Sequence, residues 1–278
     1  MTSVLKKKHK MFGGFTGYYE HVSTSTKTKM SFSVFVPDLK GQKAPVVYFL
    51  SGLTCSEENF MVKAGAQKYA AEVGLILVTC DTSPRGLDIP GLKDSWDFGE
   101  GAGFYVNATQ APWSTNFNMY DYVLDELPRV IEADFPVQKD RRSIMGHSMG
   151  GHGALVIGLR NPKEFASVSA FSPISSPTRC PWGEKALSNY LGKKSEAWDL
   201  YDASLLIEKV AQTVPILVDQ GDGDEFLEKQ LKPDLLVAAG MKKDYPLTFR
   251  MQAGYDHSYY FISTFIKDHL EFHAQHLQ

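Results

Sequence analysis

Cysteine is scarce in this chain, with only Cys55, Cys80 and Cys180 among 278 residues. Three thiols, odd in number and far apart, make no disulfide framework for a chain of this length. Long apolar runs are missing too. No stretch approaches the roughly 18–20 uncharged apolar residues of a membrane span, so no membrane is expected as a partner. Neither sign of charge prevails, since 29 Lys+Arg stand against 32 Asp+Glu for a formal net charge of −3. A nucleic-acid binder normally carries a basic face to neutralise phosphates, and nucleic acid is therefore not an expected partner either. The one dense basic run, Lys6-Lys7-Lys8-His9-Lys10, follows Met1-Thr2-Ser3-Val4-Leu5 with no apolar core behind it. It reads as a solvated tail, not as a secretory leader. Internal repeats and low-complexity tracts are lacking. What remains is a soluble protein of a reducing, cytoplasmic setting.

The chain is 43% hydrophobic and 22% charged, and at this length it can bury roughly 70–75% of its unfolded surface in one large core. Compact apolar runs read as strands: Phe15–Val22, Met30–Val36, Val46–Leu50, Leu75–Thr79, Arg142–Met145, Val168–Phe171, Ile216–Asp219 and Leu247–Gln252. The first two flank a polar turn and suggest an antiparallel hairpin. The rest are rich in Val, Ile, Leu and Phe, as expected of strands covered on both faces. Between them lie expected helices over Asn59–Val73, Met119–Ala133, Gly150–Arg160, Ser204–Lys209, Glu225–Ala239 and Tyr259–His276. Alternation of this kind implies crossover connections and a mostly parallel sheet with helices on both faces. A single α/β domain over residues 1–278 is the expectation. Two long stretches, Thr82–Pro112 and Ser172–Lys194, read as irregular and functional or lid-like.

Gly146-His147-Ser148-Met149-Gly150 matches G-x-S-x-G. In a nucleophile elbow the serine sits on a tight strand-to-helix turn, and the glycines let strand and helix pack close. The strand before it and the small-residue helix start Gly150-Gly151-His152-Gly153-Ala154 fit that context. Ser148 then lies at a helix N-terminus, where the Met149 N–H and the helix dipole can hold a developing oxyanion. The loop after Val46–Leu50 should supply the second donor, and the Leu53 N–H is the candidate, with Gly52 permitting close approach.

Serine needs a base and a group that orients the base. In this architecture the chain order is serine, acid, histidine. His257 falls directly after the strand Leu247–Gln252, in a loop at the carboxyl end of a strand where function collects. His269, His273 and His276 fall on or after the terminal helix and read as solvated. The acid should follow Ile216–Asp219. Asp219 is close enough to the strand to be tied to local backbone, whereas Asp222 and Asp224 can both reach an imidazole, and spacing does not separate them. Asp256 reads as a cap for the last helix.

Several segments together resemble the S-formylglutathione hydrolase, or esterase D, group of α/β-hydrolases. They are Leu50-Ser51-Gly52-Leu53-Thr54-Cys55, Asn59-Phe60, Asp81-Thr82-Ser83-Pro84-Arg85-Gly86 and Gly146–Ala154. They continue with Phe171-Ser172-Pro173-Ile174, Asp219-Gln220-Gly221, Asp224 before Phe226-Leu227, and Asp256–Phe261. The resemblance runs over nearly the whole chain. It implies an α/β-hydrolase fold and hydrolysis of S-formylglutathione to glutathione and formate, with no cofactor and no metal. It implies Ser148 as nucleophile, Asp224 as acid, His257 as base, and Leu53 and Met149 as oxyanion donors. A homodimer is common in the group.

Trp96 and Trp182 could wall an acyl pocket, and Lys63 and Arg85 could pair with glutathione carboxylates. Cys55, beside the oxyanion loop, is a redox-control candidate or a small buried filler. Gly99–Phe104 lacks the Gly-Lys-Ser/Thr of a phosphate loop, and His147 and His152 lack the i, i+4 face of a zinc motif. Two enzymatic alternatives share the same triad: a broad carboxylesterase for short acyl esters, and an acyltransferase in which an alcohol replaces water. A hydrolase-like scaffold is the non-enzymatic alternative.

Overall fold

Strands such as Val46–Leu50 and Val168–Phe171 carry apolar side chains on both faces, so each must be covered on both sides. The computed structural model, which describes residues 3–278, meets that need with one nine-stranded sheet between two layers of helices. The strands are β1 (Val4–Met11), β2 (Gly14–Val22), β3 (Lys29–Val36), β4 (Ala44–Leu50), β5 (Ile76–Cys80), β6 (Val137–His147), β7 (Val168–Phe171), β8 (Ile216–Gly221) and β9 (Leu247–Gln252). Their order across the sheet is β1-β2-β3-β5-β4-β6-β7-β8-β9. The β1–β2, β2–β3 and β3–β5 pairs are antiparallel, and the pairs from β5 to β9 are parallel.

The helices are α1 (Glu57–Lys63), α2 (Ala66–Val73), α3 (Met119–Asp121), α4 (Leu127–Asp134), α5 (Met149–Arg160), α6 (Pro181–Leu191), α7 (Glu196–Asp199), α8 (Ala203–Lys209), α9 (Pro233–Lys243) and α10 (Tyr259–His276). Alternate strand residues face opposite layers. Val47, Phe49, Met145 and Phe171 pack against Phe60, Phe261 and Ile266 from α1 and α10. Val46, Tyr48, Ile144 and Val218 point the other way, into a larger core with α4, α5 and α8. Each fully buried Phe or Leu contributes about 2–3 kcal/mol of apolar transfer. Among the described residues no helix is long and apolar enough to cross a membrane.

The structure corrects several expectations. The basic N-terminal run is not a tail but the edge strand β1, paired with β2 while its lysines remain exposed. Lysines along an edge discourage pairing with another chain. The helix expected over Asn59–Val73 is broken at Gly65, whose φ of +65° takes the left-handed turn into α2. The helix expected over Glu225–Ala239 is instead a π-turn at Leu227–Leu231 followed by α9, because Pro233 has no N–H to continue the ladder. Within Ser172–Lys194, read as irregular, lies α6. Its Pro181 stands at a helix start, where a missing N–H costs nothing.

His269 and His273 are also not solvated; both are fully buried under the sheet. His269 joins Ser169 at 2.8 Å and the Asp219 carboxylate at 3.2 Å. His273 joins Ser167 and Ser169, each at 2.8 Å. Asp219 is bound by side chains rather than local backbone, with Arg250 Nε donating to it at 2.6 Å. Burial would raise the Asp219 carboxyl, but His269 and Arg250 outweigh it and hold it down at about 2. This polar chain ties the end of β8 to β9 and α10, the elements that carry the later site residues.

Candidate active site

After β4 the chain turns to β5 on one side, then returns as β6 on the other side of β4. Loops that part in this way leave a crevice at the carboxyl ends of the two strands. The loop after β4 carries Gly52 and Leu53, and Ser148 directly follows β6. Ser148 has φ +58° and ψ −119°, a conformation that side-chain-bearing residues rarely adopt and that costs about 1–3 kcal/mol, so it persists only where the surroundings enforce it. Here they do. Its N–H donates to the Phe171 carbonyl at 3.0 Å, and its carbonyl accepts from His152 at 3.0 Å and Ile174 at 3.2 Å. The glycines are required sterically. A Cβ on Gly150 would stand 1.9 Å from the Leu50 carbonyl oxygen, and one on Gly146 2.2 Å from that of Gly150.

Asp224, three residues beyond β8, is 5% exposed. Its Oδ2 pairs with His257 Nδ1 at 2.6 Å and accepts from Gln220 Nε2 at 3.2 Å, while Oδ1 accepts from the Phe226 N–H at 2.9 Å. Burial works to raise this carboxyl, but the bonds from His257 and the Phe226 backbone prevail and keep it below the usual carboxylate range. Asp222 turns elsewhere, accepting from the Gly254 N–H at 2.6 Å. Of the two aspartates, only Asp224 meets the imidazole among the described residues. Asp256 does not cap α10 itself; it accepts from the N–H and hydroxyl of the cap residue Ser258.

Ser148, His257, Leu53, Lys63, Trp96 and Trp182 line one cleft of about 300 Å³. Among the described residues no hydrogen bond joins Ser148 Oγ to the His257 ring. In serine hydrolases that contact commonly tightens only in the Michaelis complex. The Met149 amide opens α5 and is one of the helix's orphan donors. Trp96 stands 57% exposed and edge-on to Trp182, with centroids 5.5 Å apart. Trp182 in turn meets Phe226, which meets His257. Lys63 also lines the cleft, its Nζ 5.6 Å from the centroid of the Tyr259 ring. Arg85 is the one proposed contact that the structure does not bring into the cleft. Its guanidinium is taken up by Asp81 and the Cys55 carbonyl, an internal brace of the loop. Cys55 lines the cleft and is half-buried, and burial raises its thiol against the pull of Lys63 and Arg85. His147 and His152 point to different partners: His147 packs on His257, and His152 joins the Phe104 carbonyl.

Sequence reasoning missed Gln220, Phe226 and the position of His147. Gln220 had a signal of its own, a polar side chain inside a fully buried strand. A wider groove of about 640 Å³ beside the β1–β2 turn brings Lys8, Lys10 and Asp38 together but holds no nucleophile and base.

A serine on a strained strand-to-helix turn, with a carboxylate-bound imidazole in the same cleft of a mostly parallel sheet, defines a serine hydrolase of the α/β-hydrolase class. The Esterase family model matches residues 23–272, and the S-formylglutathione hydrolase of Rattus norvegicus is 53% identical over 97% of this chain and 96% of its own. The chain belongs to the S-formylglutathione hydrolase family of esterases. The solved structure of an S-formylglutathione hydrolase from Agrobacterium tumefaciens is 48% identical, covers both chains fully and superposes with a TM-score of 0.96. A fluorophosphonate-binding serine hydrolase of Staphylococcus aureus shares the fold at 20% identity, with a TM-score of 0.75 over 94% of this chain and 98% of its own.

Proposed function

We propose that this enzyme hydrolyses S-formylglutathione to glutathione and formate through a formyl-serine intermediate on Ser148, with the whole chain acting as one catalytic domain. The observation that carries the reading is the Asp224–His257 pair at 2.6 Å, with the His257 ring in the same cleft as the strained Ser148. The names of its relatives supply the substrate. His257 accepts the Ser148 proton as Oγ attacks the thioester carbon, and the oxygen that becomes negative is held by the Leu53 and Met149 N–H groups. The carbon–sulfur bond breaks and the thiolate leaves with the proton that His257 returns. Water then gives a proton to His257 and attacks the formyl carbon, and formate departs as Ser148 regains its hydrogen. Asp224 keeps Nδ1 protonated and steadies the imidazolium in both halves. A cytoplasmic location belongs to this reading, since glutathione is the thiol of reducing compartments and all three cysteines are free.

The cleft is lined by the aromatic rings of Trp96, Trp182, Phe226 and Tyr259 and by the polar Asn59 and Lys63. The Lys63 ammonium is the group that suits a glutathione carboxylate. Lys63→Met should raise KM for S-formylglutathione about five- to tenfold, the worth of one charge-assisted contact near solvent. KM for p-nitrophenyl acetate, which has no carboxylate, should stay within about twofold. Steady-state kinetics on both substrates decides, and equal effects on the two would remove Lys63 from the glutathione site.

A further inference from the structure

The base at the centre of the cleft is packed by rings that the reaction above leaves without a role. Phe226 stands edge-on to His257, with centroids 5.0 Å apart. His147 lies closer, at 4.5 Å with the planes tilted by 44°. It is the last residue of β6 and only 6% exposed. Its Nε2 is buried with no hydrogen-bond partner among the described residues. A ring held there by packing on His257 and Tyr259 calls for a reason.

The reason lies in what the Asp224 bond leaves undetermined. It fixes one atom of the His257 ring, Nδ1, and leaves the ring free to swing about that contact, which moves Nε2 at the far end. A base misplaced by about 1 Å can lose a hundredfold in rate. His147 directly precedes Ser148, so a single strand end places both the nucleophile and a ring against the base. Gly52 backs it from the oxyanion loop: a Cβ there would stand 3.5 Å from His147 Nδ1 and 3.2 Å from the Ser148 Cβ. We infer that His147 is a positioning residue, whose ring, lodged between Gly52 and His257, sets the orientation in which His257 meets Ser148. This rests on the proposed roles of Ser148, Asp224 and His257.

Charge agrees with geometry. A protonated His147 would oppose the imidazolium that His257 becomes in each half-reaction. Burial, and then His257 itself, push His147 well below the ordinary imidazole range, and a weaker opposing pull from the His257 backbone does not reverse this. The other titratable groups facing the pair are Asp224 at Nδ1, Cys55, Lys63 and Tyr259 across the cleft, and Asp256 on the base's own loop. His147 therefore stays neutral while its neighbour cycles.

His147→Ala and His147→Gln remove the ring, and His147→Phe keeps it. Rates are expressed per site titrated with a fluorophosphonate, so only folded, competent protein is counted. The Ala and Gln variants should lose about 10- to 100-fold in kcat with KM within about twofold. The Phe variant should stay within about threefold of the parent. The Gln variant carries the test if the Ala variant does not fold. A per-site kcat unchanged by loss of the ring would overturn the inference, as would a Phe variant as impaired as the Ala variant. If the parent itself failed to label on Ser148, the triad reading would fall instead.

Discussion

Ser148→Ala should fold as the parent does and lose kcat by about a millionfold, the scale seen when a serine hydrolase loses its nucleophile. Both halves of that expectation come from the turn. The bonds that hold residue 148 in its strained conformation all run through its backbone N–H and carbonyl, which alanine retains. Its hydroxyl makes no hydrogen bond among the described residues, so none is lost. Alanine also meets the same φ of +58° at the same cost as serine, because both have a Cβ. The catalytic loss is total for covalent chemistry, since no other hydroxyl stands at the start of α5. Thermal melting within a few degrees of the parent, measured beside thiol release from S-formylglutathione, separates the two effects. Activity surviving at even one part in a hundred would place the nucleophile elsewhere.

Asp224→Asn should cost about 10,000-fold in kcat, while Asp222→Asn should leave it within about twofold. The first substitution keeps the shape and an oxygen for the Phe226 N–H, but it presents an amide to His257 Nδ1 where a carboxylate had accepted a hydrogen bond. The imidazole then settles in the tautomer with hydrogen on Nε2, the nitrogen that must accept the Ser148 proton. The second removes a charge that faces the Gly254 N–H rather than the cleft. Steady-state kinetics of the two variants side by side reads the contrast. Equal losses in both would mean that the acid is shared or misplaced.

The elbow was legible because its glycines follow a steric rule local to five residues, and the close contacts at Gly146 and Gly150 bear that rule out. His257 was legible from its place after a strand. Asp222 and Asp224 were not separable, since two residues in one loop differ only in which way they turn, and that is decided by Gly254 in the turn after β9. His269 and His273 could have been read correctly. They share a helical face with Ile262, Ile266 and Leu270, the spacing of a buried stripe, and their placement as solvated gave polarity more weight than period. The helix α6 was hidden by its own start, since Pro181 and Gly183 looked like loop residues although proline suits the first turn. The packing of His147 on His257 joins residues 110 positions apart and had no local signal.

A cleft built for a glutathione thioester should reveal it in the specificity constant. The kcat/KM for S-formylglutathione should lie at least about a hundredfold above that for p-nitrophenyl acetate, the worth of roughly 3 kcal/mol of additional transition-state binding. Equal constants, or a preference for the ester, would contradict it and make the enzyme a general short-chain carboxylesterase on the same triad.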